Sequence, residues 1–375
     1  MAATGPSRAL RPRAWQAALG VTRLARLTGL DRAGVEVAAA IRPGGHVLQV
    51  STGKGETAGQ AAVSALAEAA ELWGAERPLA LLHGTARELG ARFGDRGVVG
   101  PGELAAADGA GPGWGDLRLA WRTGDDLLSG RPCLVPAHAV HCPPPGAEAL
   151  GPAVVPWTSN GLAAHPSRPA ALLHALLELC ERDQLARAFP AGFAPGAVRR
   201  RLLDPASLGR SAPRTATWAS QLAARGFLVH LLDATADLGL PCAAAILVDL
   251  EGGPVPVAAG YACRLGRDEA LLAALLEAAQ SRLTEIHGAR EDVLHGAREA
   301  GRPLAERCAR LRPSRRAAAL PDHGRLPVEG ALRLVLGRLA AAGYARVVAC
   351  DLAAPQGLAS VKVLVPGLRR SELLG

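Results

Sequence analysis

Three stretches of this 375-residue chain carry acidic side chains at helical spacing amid alanine and leucine. In the first, Ser64, Glu68 and Glu71 stand at i, i+4 and i+7. At ~100° per residue they fall on one helix face, within about 60° of one another. In the second, Glu178, Glu181 and Arg182 cluster amid Leu172, Leu173, Leu176, Leu177 and Leu179. In the third, Glu277 and Gln280 share a face, with Arg282 close by and Arg290, Glu291 and Asp292 just beyond. Same-face glutamates repel one another by about 0.2–0.5 kcal/mol when exposed, and by more when buried. A solvated face would account for one such helix. Three of them favour convergence on a hard divalent cation, for which Mg²⁺ bound together with substrate phosphates is the commonest case. The arginines would then hold phosphate oxygens in bidentate fashion.

A phosphate loop of the Walker type is absent. Thr52-Gly53-Lys54-Gly55 has the Gly-Lys pair, but Gly55 stands where Ser or Thr is required and Leu48 where the first Gly is required. No G-x-G-x-x-G opens a helix after a strand. Any nucleotide site is therefore of another kind. Lys54 is one of two lysines among 42 Lys and Arg, and it precedes the first acidic helix. Asn160, the single asparagine, precedes the second in Thr158-Ser159-Asn160-Gly161. In a composition drifting toward arginine, their retention at these places points to need. The string His138-Ala139-Val140-His141-Cys142 lacks a second ligand pair and reads as loop and edge strand, not as a metal site.

A net charge of +8 raises nucleic acid as a partner. The arginines are scattered and aromatics make up 3% of the chain, which leaves little to stack bases on. Anionic small molecules or an acidic peptide suit the charge equally well. A chain 49% hydrophobic and 20% charged is not disordered. No apolar run reaches the ~18 residues of a membrane span, and the first residues lack a secretory apolar stretch. Seven scattered cysteines without a CxxC read as a reduced, cytoplasmic set.

The elements that must position these residues are helices over 57–76, 167–187, 268–287 and 329–342, with Ser167 and Asp268 as N-caps. Strands are expected over 35–41, 46–50, 243–249, 254–258, 344–350 and 360–365. A Gly-rich turn precedes the first helix. This mixture argues an α/β or α+β fold. Pro- and Gly-rich connections span 97–116, 142–157 and 189–216, and the charged segment 301–327 is the candidate mobile loop. No internal repeat of fixed period and no sharp boundary is present, so 1–375 is expected to be a single domain.

These residues resemble the YcaO family nearly end to end. Thr28-Gly29-Leu30-Asp31-Arg32-Ala33-Gly34, with Ile41-Arg42-Pro43, looks like its entry segment. Ser51 to Gly55, followed by Ala62 to Glu71, is similar to its first ATP-site motif; Thr158 to Ala164, leading to Glu178-Leu179-Cys180-Glu181-Arg182-Asp183, to the second; Glu277 to Arg282, then Arg290-Glu291-Asp292, to the third. Leu364-Val365-Pro366-Gly367-Leu368 resembles the terminal strand and turn. The resemblance implies an enzyme that uses ATP and Mg²⁺ to phosphorylate a peptide backbone amide. A neighbouring Cys, Ser or Thr then gives an azoline, and external sulfide a thioamide. It also implies Glu68, Glu178 and Glu181 as Mg²⁺ ligands with Glu71 beside them. Lys54, Ser64, Asn160, Arg182, Gln280, Arg282, Arg290 and Glu291 would serve the nucleotide. No catalytic residue is assigned.

Two departures bear on the reading. Leu72 stands where the family usually carries Arg, a contact that Arg77 or a loop arginine would have to replace. The chain ends ten residues after Val365 without the Pro-x-Pro-x-Pro tail of azoline-forming members. Members that work with a TfuA-type partner commonly lack that tail, so thioamide formation is favoured, with azoline formation as the alternative. No separate peptide-binding domain precedes the motifs, so a TfuA-type or E1-like partner is expected to deliver a precursor peptide or protein; homodimerisation stays open. A non-catalytic nucleotide-binding scaffold is the remaining alternative, favoured by Leu72 and opposed by the retained glutamates.

Overall fold

The structure is a computed structural model that describes residues 12–94, 97–104, 113–147, 149–290, 303, 306–308 and 310–371. In chain order the elements are α1 (Pro12–Leu19), β1 (Arg23–Arg26), β2 (Glu36–Ile41), β3 (Val50–Gly55), α2 (Ala58–Ala75), β4 (Leu82–Gly84), α3 (Ala86–Phe93), β5 (Leu119–Asp126) and β6 (Arg131–Pro136). Next come β7 (Leu162–His165), α4 (Arg168–Ala188), α5 (Pro195–Arg201), α6 (Leu208–Ser211), α7 (Pro213–Ala223), β8 (Phe227–Asp233), β9 (Cys242–Asp249) and β10 (Val257–Cys263). The chain continues through α8 (Arg267–His287), α9 (Val328–Ala341), β11 (Val348–Leu352) and β12 (Ala359–Leu364). The mixed α/β class is as expected. No helix among the described residues is long and apolar enough to cross a membrane.

The strands form three antiparallel sheets, ordered β1-β2-β3, β10-β9-β8 and β4-β5-β11-β12-β7, with β6 pairing β5. One core joins α4, α9, β9 and β12 through Leu176, Cys180, Val335, Ile246 and Val361. Another packs α8 on the β8–β10 sheet and the first sheet through Leu271, Leu275, Leu247 and Val37. The units β1-β2-β3-α2 and β8-β9-β10-α8 share one plan, a three-stranded meander followed by a long helix laid on its last strand. A glycine makes each contact close. A Cβ on Gly53 would stand 2.1 Å from the Ala65 amide nitrogen, and one on Gly260 would stand 2.2 Å from that of Ala278. Any larger side chain would force helix and strand apart.

Several sequence expectations shift. Residues 51–55 are strand, not turn: Gly53 serves the helix contact instead of a positive φ. The strands expected at 46–50, 254–258 and 344–350 lie later, at β3, β10 and β11. Thr57 caps α2 in a capping box with Gln60. Ser167 holds the N-cap position of α4 without a side-chain bond. Asp268 is not the cap of α8, which is Gly266. It accepts instead from the Arg214 and Thr215 amides at the start of α7. The connection 189–216 contains α5 and α6. The 301–327 segment lies partly outside the described residues. His141 is buried in a loop with Nδ1 3.2 Å from the Ala75 carbonyl.

Candidate functional site

Three strand–helix pairs build the site: β3 with α2, β7 with α4, and β10 with α8. Each of the three strands is the terminal strand of its sheet. Such an edge presents N–H groups with no partner strand. Here a glutamate of the following helix takes a backbone N–H of the edge strand or, before β7, of the turn residue just ahead of it. Thr52 N–H donates to Glu68 Oε2 at 2.9 Å, Gly161 N–H to Glu178 Oε2 at 3.1 Å, and Tyr261 N–H to Glu277 Oε1 at 3.3 Å. The separations along the chain are 16, 17 and 16 residues, so one local device is used three times. Glu71 crosses from α2 to the third sheet, where Oε1 accepts from Ala164 N–H at 3.0 Å. One oxygen of each carboxylate is thereby oriented by backbone, and the other is left for a different partner. For Glu277 that partner is Lys54 Nζ at 2.9 Å, and for Glu68 it is Arg290 Nη1 at 3.4 Å.

The three edges meet around a cavity of about 1290 Å³. Lys54, Ser64, Glu68, Glu71, Glu178, Glu181, Arg182, Glu277, Gln280 and Arg290 line it. Trp15, Val63 and Leu358 supply apolar wall, as do Val47, Leu48 and Trp157. Gln280 Nε2 donates to the Thr52 carbonyl at 3.1 Å and to Thr52 Oγ1 at 3.0 Å, which ties α8 to β3 across the cavity floor. Burial drives the Glu71 carboxyl well above the ordinary range, with Glu178 and Glu68 adding to the rise. Burial also raises Glu178, and it brings Glu181 to about 7 with help from the Glu277 charge. Burial acts to raise Glu277, but Lys54, Arg182 and the Tyr261 amide together depress it. The cavity thus gathers carboxyl groups whose ionisation burial opposes at Glu71, Glu178 and Glu181.

A family model described as YcaO cyclodehydratase, ATP- and Mg²⁺-binding, matches residues 52–369. The chain belongs to the YcaO family. A protein from Rhizobium leguminosarum bv. trifolii, described as uncharacterized and in the tfuA 3′ region, is 31% identical over 93% of this chain and 84% of its own. The solved YcaO from Methanopyrus kandleri bound with AMPPCP and Mg²⁺ superposes with a TM-score of 0.68 at 22% identity, covering 96% of this chain and 92% of that one. A heterocyclase in complex with substrate and cofactor superposes with a TM-score of 0.72 at 23% identity. The match covers 97% of this chain, which spans about half of the heterocyclase, 53% of its length.

The residues fit the family's Mg²⁺ and ATP. Among the described residues no three His, Cys, Asp or Glu side chains stand close enough to hold a metal by themselves. Mg²⁺ does not require that, since it commonly takes one or two carboxylates and completes its shell with phosphates and water. The buried, oriented and mutually repelling carboxylates are what a nucleotide-borne cation would relieve. A carboxyl raised in the fold makes the native state bind more protons than the unfolded chain. Glu181 therefore contributes stability to the metal-free protein that is lost as pH rises toward about 7, while the buried His141 and His174, depressed by burial, contribute in the opposite direction. Binding of Mg²⁺ with AMPPNP is expected to expel that proton. Its affinity should fall roughly tenfold per pH unit below 7. Calorimetry in two buffers of different ionisation enthalpy measures the release, and identical heats at pH 6 would count against these carboxylates as ligands.

Not every residue picked from the sequence comes to this YcaO cavity. Arg282 is 2% exposed and pairs with Asp31 and Asp249 at 3.0 and 2.9 Å, in the core behind α8. It is a structural ion-pair residue, which corrects the expectation of a phosphate contact. Asn160 lines a second cavity of about 850 Å³ on the other side of its turn. Leu72 does line the cavity, and it packs behind the wall with Val99, Val135 and Val348. Arg77 donates to the Trp73 carbonyl and lies over the Trp73 ring, so it does not replace the family's arginine. Arg290 is the arginine found beside Glu68. Glu291 and Asp292 lie outside the described residues. Thr52, His174, Arg264 and Trp157 line the cavity beyond the residues that the motifs point to. His174 precedes Glu178 by four residues on the same helix face, a signal legible in the sequence.

Proposed function

We propose that this protein transfers the γ-phosphoryl group of ATP to the oxygen of a peptide backbone amide, and that the product is a thioamide made with a TfuA-type partner. The observation that carries the reading is the convergence of Glu68, Glu71, Glu178 and Glu181 from two helices, with Glu277 from a third, on one cavity. Bound Mg²⁺ and ATP would supply the phosphoryl group and neutralise its oxygens. The chain's own residues would orient them. Glu68, Glu178 and Glu181 would share the coordination of nucleotide-borne Mg²⁺, one or two carboxylates to an ion, with Glu71 beside them. Lys54, Arg182 and Arg290 would face phosphate charge, with Gln280 and Ser64 as hydrogen-bonding groups. Fixed charges of this kind supply most of what phosphoryl transfer needs. Sulfide would add at the amide carbon, and phosphate would leave with the amide oxygen. The relative in the tfuA 3′ region supports the thioamide branch.

The heterocyclase neighbour and the cyclodehydratase description favour a second reading, in which a peptide Cys, Ser or Thr is the nucleophile and the product an azoline. Under either reading the substrate is a precursor peptide or protein delivered by a partner, and the scattered cysteines support the cytoplasm as the compartment. The test combines the chain with ATP, Mg²⁺, sulfide, a TfuA-type protein and candidate peptides. Peptide-dependent phosphate release with oxygen replaced by sulfur in the product mass is the expected outcome. Loss of water would select the azoline. Tight nucleotide binding with no turnover under any combination would leave the scaffold reading.

A further inference from the structure

Among 42 basic Lys and Arg side chains, Lys54 and Lys362 are the lysines. Lys54 serves Glu277 in the nucleotide cavity. Lys362 lies in β12 and is 1% exposed. Its ammonium donates to the carbonyl oxygens of Thr158 and Asn160, both at 2.6 Å, and sits 5.9 Å from the Trp157 ring centre. A buried ammonium persists only when its protons are bonded. A flexible stem ending in a compact charge can reach both carbonyls, whereas the broad planar fork of arginine is a poor fit between them.

The turn that Lys362 grips is the partition between the two cavities. Ser159 and Leu162 line the large one, and Thr158, Asn160 and Lys362 line the second; Arg182 lines both. The turn ends at Gly161, whose φ of +80° and tight fit exclude a side chain, since a Cβ there would stand 2.3 Å from the Val363 carbonyl. Gly161 N–H is the donor that orients Glu178, at 3.1 Å. Burial lowers Lys362 to about 8, and the Glu178 carboxylate is what most opposes that fall. A continuous chain of bonds therefore runs from the Lys362 ammonium through the 158–161 turn to the Glu178 carboxylate.

We propose that Lys362 is a positioning residue of the metal site, a strut that holds the 158–161 turn so that Gly161 keeps Glu178 facing the magnesium position. The inference rests on the reading of Glu178 as a magnesium ligand. Its test is Lys362→Met, with AMPPNP binding followed by calorimetry at increasing Mg²⁺ and again in EDTA. The half-saturating Mg²⁺ concentration is expected to rise about 10–100-fold, the usual effect of removing an outer partner of a metal ligand. AMPPNP affinity in EDTA should stay unchanged, because the strut acts through the carboxylate and not through the nucleotide. General loosening would weaken both. Should Lys362→Met not fold by circular dichroism, Lys362→Gln keeps N–H donors without the buried charge and carries the same comparison with a smaller rise. Equal Mg²⁺ half-saturation in wild type and folded variant, or equal losses with and without Mg²⁺, overturns the proposal while leaving the nucleotide site intact. Absence of Mg²⁺-dependent AMPPNP binding in the wild type removes the site reading, and the strut with it.

Discussion

Glu181→Gln is expected to lower peptide-dependent phosphate release by about 100–1000-fold, the usual consequence of deleting a fixed charge from a transfer site. Glu181 is 6% exposed and stands one turn beyond Glu178 on α4, and its ion pair with Arg182 Nε is long, at 3.8 Å. Burial and the Glu277 charge raise its carboxyl to about 7. The metal-free fold therefore gains little from the ionised group. Above pH 7 the substitution removes a buried charge that opposes folding, so the melting temperature without Mg²⁺ should hold or rise. Activity and stability would thus move in opposite directions, a pattern that loss of folding cannot produce. Phosphate-release assays and thermal melts at pH 8, with and without Mg²⁺, check both halves. Near-wild-type turnover in the variant would remove Glu181 from the metal site.

Arg282→Met should behave in the reverse way, with a stability loss of about 3–5 kcal/mol and no specific effect on the nucleotide site. Arg282 is held by Asp31 at 3.0 and 3.2 Å, by Asp249 at 2.9 Å and by the Val255 carbonyl, with its guanidinium 5.0 Å from the Phe227 ring centre. Both carboxylates are buried, with side-chain exposures of 3% and 0%. Methionine fills the space but leaves Asp31 without this charge partner and Asp249 with Arg32 alone among its ion pairs. Breaking such a cluster from one side exposes the full cost of the stranded charge. Urea unfolding reads the loss. Mg²⁺-dependent AMPPNP affinity, measured where the variant is folded, should match wild type. A variant with native stability and lost nucleotide affinity would return Arg282 to the site.

Arg282 also shows where family likeness and helix geometry disagree. Glu277 and Arg282 are five residues apart, and five residues place them about 140° apart around a helix. Helix arithmetic alone separates Arg282 from the Glu277 face, whereas the motif pulled it into the nucleotide set. Gln280, at about 60° from Glu277, does reach the cavity. The rarity of Asn160 and its place before α4 point to the nucleotide site. Its carbonyl matters to Lys362, and its side of the turn faces the second cavity. The orientation of Asn160 has no local signature, because the turn it sits in is aimed by the β7 strand it leads into and by the Lys362 contact from β12.

Local chemistry was enough to place α2, α4 and α8 within a residue or two and to put Ser64, Glu68 and Glu71 on one face, since a helix repeats every few residues and records its burial in composition. It was not enough for β7, whose partner β12 lies near the other end of the chain, nor for β5, β6 and β8, although β5 pairs locally with β6 and β8 with β9. Nor could it reveal the twofold recurrence of meander and helix, which is carried by sheet order and two glycine contacts and not by a repeating sequence. The decisive event is the meeting of three sheet edges at β3, β7 and β10. A strand becomes an edge only by virtue of what fails to pair beside it, and that is a property of the assembled sheets. Helix periodicity therefore wrote the glutamates onto their faces, while the folded arrangement of sheets gave them backbone amides to hold and one cavity to share.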